Sequence, residues 1–290
     1  MIVWLASFPR SGNTFFRIVL HALYGINTYS GFLSGDDIEN DLGRTDITGH
    51  GKLPHSELYS GSEKTKHWLN KLESDSEVYF IKTHALPSQV CNSKARAILL
   101  VRDGRDAGIS FAHYLIDTLY TWPRFVKNAK NYIEQKDYLS FRKTYGLFLN
   151  ASYTILVLFL KLLHCKNKLF TYCLKRFLVS KNGSRWTLLN REWINRTDAL
   201  TSIVRFEDLV KDPITCIQQT LKNIGVDFPQ NGRSIPSFEE LHALHPKFFR
   251  SGQSGTWQTV INEELNNKFW ETDGQMMNQL GYLKNNSFEK

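Results

Sequence analysis

Four short apolar runs, at 2–6, EVYFIK (77–82), ARAILLV (95–101) and TSIVRF (201–206), each end in a polar turn. Helical spacing follows three of them: Phe15, Ile18, Val19, Ala22 and Leu23 after the first, GRDAGISFAHYL after the third, and 214–224 after the fourth. Strands that alternate with helices imply right-handed crossovers and a parallel sheet. Such sheets bind ligands beyond the carboxyl ends of their strands. Arg10, His84, Arg102 and Glu207 all follow strand ends. The expected fold is α/β and P-loop-like: a single domain, 1–290, with a central parallel sheet flanked by helices.

Length and composition agree with this. The chain has 290 residues, 42% hydrophobic and 22% charged, enough for one large core and too apolar for a disordered protein. The net charge of +8 suits an anionic ligand, a nucleic acid or an acidic membrane surface. The cysteines, 91, 165, 173 and 216, form no CxxC pair. Neither a zinc site nor a disulfide framework is expected, and a reducing, cytoplasmic compartment is. The amino-terminal apolar run is too short, and enters a turn too soon, to read as a secretory signal.

Two stretches stand apart. Residues 27–76, with the acidic GDDIENDLGRTD, read as loop with short helical pieces facing a substrate. Residues 115–182 read as a helical insert near the acceptor. Within it, 145–165 is long enough to span a bilayer and carries one charge, Lys161. A crossing there would put the two halves of one sheet on opposite sides of a membrane, so a buried or peripheral helix is expected. With LFTYCLKRFLV (169–179) it would form a hairpin that covers an acceptor or makes peripheral membrane contact through 145–180.

The chemistry concentrates in four segments. In SFPRSGNT a glycine lets the backbone approach an anion, the next helix points free N–H groups at it, and Arg10 adds charge. The same turn could instead be an ordinary cap made by Ser11 or Thr14. Asn13 stands where a P-loop lysine would be, and no strand followed by a magnesium-binding aspartate is found. That argues against a nucleoside triphosphatase and for a donor that needs no metal. In VRDGRDAGIS, Arg102 and Ser110 could close on one phosphate. In KTH, Lys82 and His84 fall on one side of the strand, and a neutral histidine can act as base. FFRSGQSGTW (248–257) is a donor-rich loop with Arg250.

Together and in this order, these segments resemble the cytosolic-type sulfotransferases that use 3′-phosphoadenosine-5′-phosphosulfate (PAPS). SFPRSGNTFF is similar to that family's phosphosulfate loop, YPKSGTTW. VRDGRDAGIS is similar to its 3′-phosphate motif, KTHALP to KTHLP, VRFEDLVKDP to RYEDL, and RSGQSGTW to RKGxxGDW. GSRWTLLNREWI looks like a helix of bacterial members. The resemblance implies that Arg10, Ser11, Gly12, Asn13 and Thr14 hold the 5′-phosphosulfate. It implies that Arg102 and Ser110, with Arg250, Ser251 and Gly252, hold the 3′-phosphate. Phe15 and Phe238 would sandwich adenine, and Phe206 would stand where a tyrosine is usual. Lys82 and His84 would face the transferred group.

The resemblance further implies sulfuryl transfer from PAPS, without a metal, to a hydroxyl of a small-molecule acceptor. An amine or guanidinium natural product is the alternative acceptor, and no nucleic acid is expected. Arg10 replaces the family's catalytic lysine, Ser251 a lysine and Thr256 an aspartate. The family's dimer motif is not intact after Trp257. A P-loop kinase and a non-catalytic anion- or membrane-binding protein stay open on the residues alone.

Overall fold

The computed structural model describes residues 1–30, 45–51, 69–90, 95–116, 166–179, 184–197, 200–231 and 233–285. The acidic stretch 35–44 and the apolar 145–165 lie outside them. The strands are β1 (Ile2–Ser7), β2 (Thr28–Ser30), β3 (Tyr79–Thr83), β4 (Arg96–Val101) and β5 (Thr201–Arg205). The main helices are α1 (Asn13–Tyr24), α2 (Gly104–Tyr114), α3 (Lys166–Leu178), α4 (Arg185–Ile194), α5 (Phe206–Lys211), α6 (Pro213–Asn223), α7 (Phe238–Leu244) and α8 (Glu263–Gln279). They fall into two compact units, Met1–Arg102 with Arg185–Gly252, and Asp103–Ser184 with Gln253–Lys290.

The first unit carries the sheet. All five strands are parallel, in the order β2-β3-β1-β4-β5. Every residue of β1 is buried, as a strand covered on both faces must be. Val3 and Leu5 point to one side and pack with Phe80, Ile98, Leu100 and Val204. Phe16, Val19, Leu20 and Leu23 of α1 and Ile217 and Leu221 of α6 close that core. Alternation sends Trp4 to the opposite face. α4 packs against β1 and β4.

α4 also fixes two strand ends. Trp186 Nε1 donates to the carbonyl of Arg102 at 3.1 Å, and Trp193 Nε1 to that of Ala85 at 3.0 Å. Both indoles are fully buried and lie two turns apart on one face of the helix. Arg102 and Ala85 directly follow β4 and His84. The helix therefore holds the backbone beside two residues singled out from the sequence.

The second unit is helical in its described residues. Asp103 caps α2 by accepting from the N–H of Arg105, and its carboxylate meets the Arg105 fork at 3.0 and 2.7 Å. That fork also donates to the carbonyls of Leu283 and Lys284, each at 2.8 Å, and stacks over Trp257. Burial pushes the Asp103 carboxyl above the ordinary carboxylate range, with Arg105 acting against the shift. Asp273, fully buried, accepts from the N–H and hydroxyl of Ser184.

Three expectations are corrected. β2 lies in the stretch read as loop with short helical pieces; three residues, Thr-Tyr-Ser, are too few to show a period. The second strand starts at Tyr79 rather than at 77. Phe206, read as the end of the fourth strand, opens α5. Among the described residues no helix is long and apolar enough to cross a membrane.

The indole clamp gives a test. Trp193→Phe keeps most of the ring but leaves the Ala85 carbonyl without its donor, and should cost about 1–3 kcal/mol. Trp193→Ala should cost about 3–5 kcal/mol by opening the core. Urea unfolding measures both; no loss in Trp193→Phe would show that the hydrogen bond contributes nothing.

Candidate functional site

β1 ends at Ser7 and the chain turns sharply into α1. Ser11 N–H reaches back to the carbonyl of Phe8 at 3.2 Å. Arg10 has φ 71, the one positive value at a non-glycine among the described residues, and Gly12 follows with φ 94. A side chain in that region costs about 1–2 kcal/mol, and such strain collects at functional loops. Gly12 is the N-cap of α1 and no side chain caps the helix. Helix geometry leaves the first-turn N–H groups without intrahelical acceptors. Ser11 Oγ is buried and has no hydrogen-bond partner. A cluster of inward donors with a positive helix end is what an anion requires.

Gly12 is also pinned by packing. A Cβ there would lie 2.6 Å from Cδ2 of Phe206, in the left-handed backbone region. Phe206 in turn carries the Arg102 guanidinium over its ring, 4.4 Å from the centroid. Arg102 Nη1 donates to the carbonyl of Arg10 at 3.3 Å. Arg102 thus braces the turn from the end of β4. Ser110, its expected partner, is on α2 in the other unit.

β3 supplies the second set. Register pairs Lys82 with Leu5, so buried Lys82 faces the α1 side of the sheet. His84 follows, half-buried. Its Nδ1 lies 2.7 Å from the carbonyl of Ser7 and 3.3 Å from Ser7 Oγ. A carbonyl only accepts, so Nδ1 carries the hydrogen and the ring lone pair is on Nε2. Asn13 turns its side chain inward: Nδ2 donates to the carbonyl of Leu5 at 2.9 Å and to Ser7 Oγ at 3.1 Å. The α1 backbone at Asn13 and Thr14 faces the turn, and Phe15 packs partly on the core.

The third set comes from far along the chain. Arg10 Nη2 donates to the carbonyl of Phe248 at 2.6 Å, and its guanidinium lies 4.2 Å from that ring's centroid. Sequence reasoning missed Phe248. It also missed α7, although Ser237 and Glu240 form a capping box whose S-x-x-E spacing was legible. Phe238, the first residue of α7, lies against Gly252, whose φ is 59 and whose added Cβ would fall 2.6 Å from the ring. Arg250 is exposed and Ser251 half-buried.

In the second unit, Asp106 accepts from Gly255 N–H at 2.6 Å, Thr256 Oγ1 at 2.7 Å and Trp257 N–H at 2.8 Å. Arg105 and Asp106 were passed over within VRDGRDAGIS. The signal was available: two charges in the first turn of a helix already capped by Asp103.

The parallel sheet and uncapped glycine turn define a P-loop-like α/β protein. Residues 2–281 match the sulfotransferase domain family, and the chain belongs to that family. Mouse sulfotransferase SULT7A1, complexed with PAP, is similar in fold: TM-score 0.52 at 17% identity, over 96% of this chain and 84% of that one. Retinol dehydratase in complex with androsterone and inactive cofactor PAP gives 0.47 at 15%, over 100% and 82%. The sulfotransferase domain of the Synechococcus PCC 7002 olefin synthase gives 0.42 at 15%, over 97% and 94%. No curated protein sequence matches the chain significantly.

The turn makes a prediction. Gly12→Ala adds about 1–2 kcal/mol of backbone strain and must displace Phe206. It should lower stability to urea and weaken binding of a nucleotide diphosphate by about tenfold or more. Unchanged affinity would show that the turn is not the anion site.

Proposed function

We propose that the protein transfers the sulfuryl group of PAPS to a hydroxyl of a small-molecule acceptor in the cytoplasm. The observation that carries this reading is the uncapped start of α1, with the buried, unpartnered Ser11 hydroxyl aligned to the same turn. PAPS brings a sulfuryl group on a phosphate leaving group. The N–H groups of Gly12, Asn13 and Thr14 and the Ser11 hydroxyl bind the phosphosulfate oxygens. Family membership and the PAP named with similar folds support this donor.

His84 takes the acceptor proton at Nε2, the nitrogen that the Ser7 carbonyl leaves without hydrogen. Arg10 and Lys82 stabilise the charge that grows on the leaving oxygen. Arginine does not give up a proton at working pH, so Arg10 acts through charge and hydrogen bonds. Its guanidinium also donates to the carbonyl of Phe248, which ties it to the turn. Arg102, Ser110, Arg250, Ser251 and Gly252 hold the 3′-phosphate, with Phe206 beneath Arg102. Phe15 and Phe238 enclose the adenine. No metal is needed for these roles.

Thermal unfolding with adenosine 3′,5′-bisphosphate, ADP and ATP–magnesium tests the donor. A ligand at 100 times its Kd adds about 2.7 kcal/mol to the folded state. The bisphosphate alone should raise Tm strongly. A shift with ATP–magnesium only would replace this reading with a kinase, and no shift with any ligand would favour a non-catalytic binder. Arg102→Ala should weaken the bisphosphate far more than ADP; equal weakening would move the 3′-phosphate site elsewhere. His84→Ala should lower kcat about 10²–10⁴-fold and leave bisphosphate affinity nearly intact. Normal turnover by that variant would remove His84 as the base.

A further inference from the structure

We infer that His242 is a positioning residue for the loop that takes the 3′-phosphate: it pins the backbone just before Arg250 to α7 and so presets the loop for a nucleotide that carries this group. This rests on the reading of Arg250, Ser251 and Gly252 as ligands of the 3′-phosphate. His242 acts through the loop.

The stretch Phe249–Gly252 is fastened at both ends to one side of α7. Phe238 and His242 are one helical turn apart and share a face. Their rings lie 5.8 Å apart, with planes 32° from parallel. At the far end of the stretch, Gly252 rests on Phe238, where an added Cβ would fall 2.6 Å from the ring. At the near end, His242 Nδ1 lies 2.6 Å from the carbonyl oxygen of Phe249. A carbonyl only accepts, so Nδ1 carries hydrogen and donates, in the neutral and the protonated ring alike. Between the two anchors stand Arg250, exposed, and Ser251, half-buried.

The chain reaches His242 by a tight return. The N–H groups of Phe248 and Phe249 both donate to the carbonyl of His245 at 3.0 Å, which folds the chain back over the last turn of α7. The return places Phe249 over the helix, but its carbonyl can still turn about the Cα–C bond. His242 takes that carbonyl. In a trans peptide the C=O and the following N–H point in opposite directions, and none of the described peptides is cis. Holding the Phe249 carbonyl against α7 therefore turns the Arg250 N–H away from the helix. His242 thus sets the direction of that N–H and of the chain entering Arg250. The preceding carbonyl, that of Phe248, is held by Arg10 at 2.6 Å, so two successive peptides are fixed from two different segments. A loop with glycine at 252 and 255 loses much backbone freedom when it closes on an anion. Ordering it beforehand removes part of that cost from binding.

Adenosine 3′,5′-bisphosphate and adenosine 5′-phosphate differ only in the 3′-phosphate, so the ratio of their affinities for the full chain, measured by calorimetry, is the readout. His242→Gln puts its amide nitrogen one bond too far from the backbone to replace Nδ1, and should lower the ratio about tenfold. His242→Asn carries an N–H at the position of Nδ1 and should keep the ratio within about threefold of wild type. Loss of the ring beside Phe238 weakens both nucleotides alike through adenine and cancels in the ratio. A merely structural role would lower stability to urea in both variants and leave the ratio unchanged. An unchanged ratio in His242→Gln, or an equal fall in both variants, would overturn the inference. Long-range ¹H–¹⁵N correlation on the wild type should show hydrogen on His242 Nδ1; a bare Nδ1 would overturn it without any variant having to fold. Arg250→Ala separates the two readings. An intact ratio in that variant would remove the 3′-phosphate assignment itself, whereas a fall there with none in His242→Gln would remove only the role of His242.

Discussion

The pairing of β1 between β3 and β4 is the constraint on which the rest depends. Leu5 sits opposite Lys82 and Ile98, and Ser7 opposite Leu100. Parallel register sends all three strands to the same edge, so their first irregular residues arrive together. The glycine turn, His84 and Arg102 are then neighbours because of sheet geometry, before any side-chain contact is made. α4 secures the arrangement by donating from its two tryptophans to the backbone just past β4 and β3.

Three arginines of the first unit engage carbonyls, a hydroxyl and aromatic faces. Arg10 and Arg102 donate to backbone carbonyls and lie over the faces of Phe248 and Phe206. Arg17, fully buried in α1, donates to Thr28 Oγ1 at 2.6 Å and meets His50. Carbonyl dipoles and ring quadrupoles orient a guanidinium without cancelling its charge.

What was legible in the sequence follows from the range of the forces involved. β1, β3, β4 and β5 could be read because strands buried on both faces leave continuous apolar runs. β2 could not, because its pairing with β3 is a tertiary fact and its three residues carry no period. Ser11, Gly12 and His84 could be singled out because the turn and the strand end are local. The inward bond of Asn13 depends on which way β1 presents the Leu5 carbonyl, which no motif records. The contact of Arg10 with Phe248 joins residues 238 positions apart. The engagement of Arg102 with Arg10 and Phe206 is likewise a contact between distant segments that the motif around Arg102 does not record. The roles of Arg105 and Asp106 were masked by a different cause, since both sit inside a motif already assigned to other residues.

The Arg10–Phe248 contact also bears on how the protein is made. The turn that begins at Phe8 leaves the ribosome long before β4 or the segment around 248 exists. Until β3 and β4 have emerged, β1 is a mostly apolar strand without either neighbour, exposed to association with other chains. Folding of the first unit therefore waits for most of its sequence, and the closure of loops this long slows it. A nascent chain stopped anywhere before residue 248 would carry the glycine turn intact in sequence and still lack the far partner of its arginine. The turn thus reaches its full set of contacts only once the segment around Phe248 has been made.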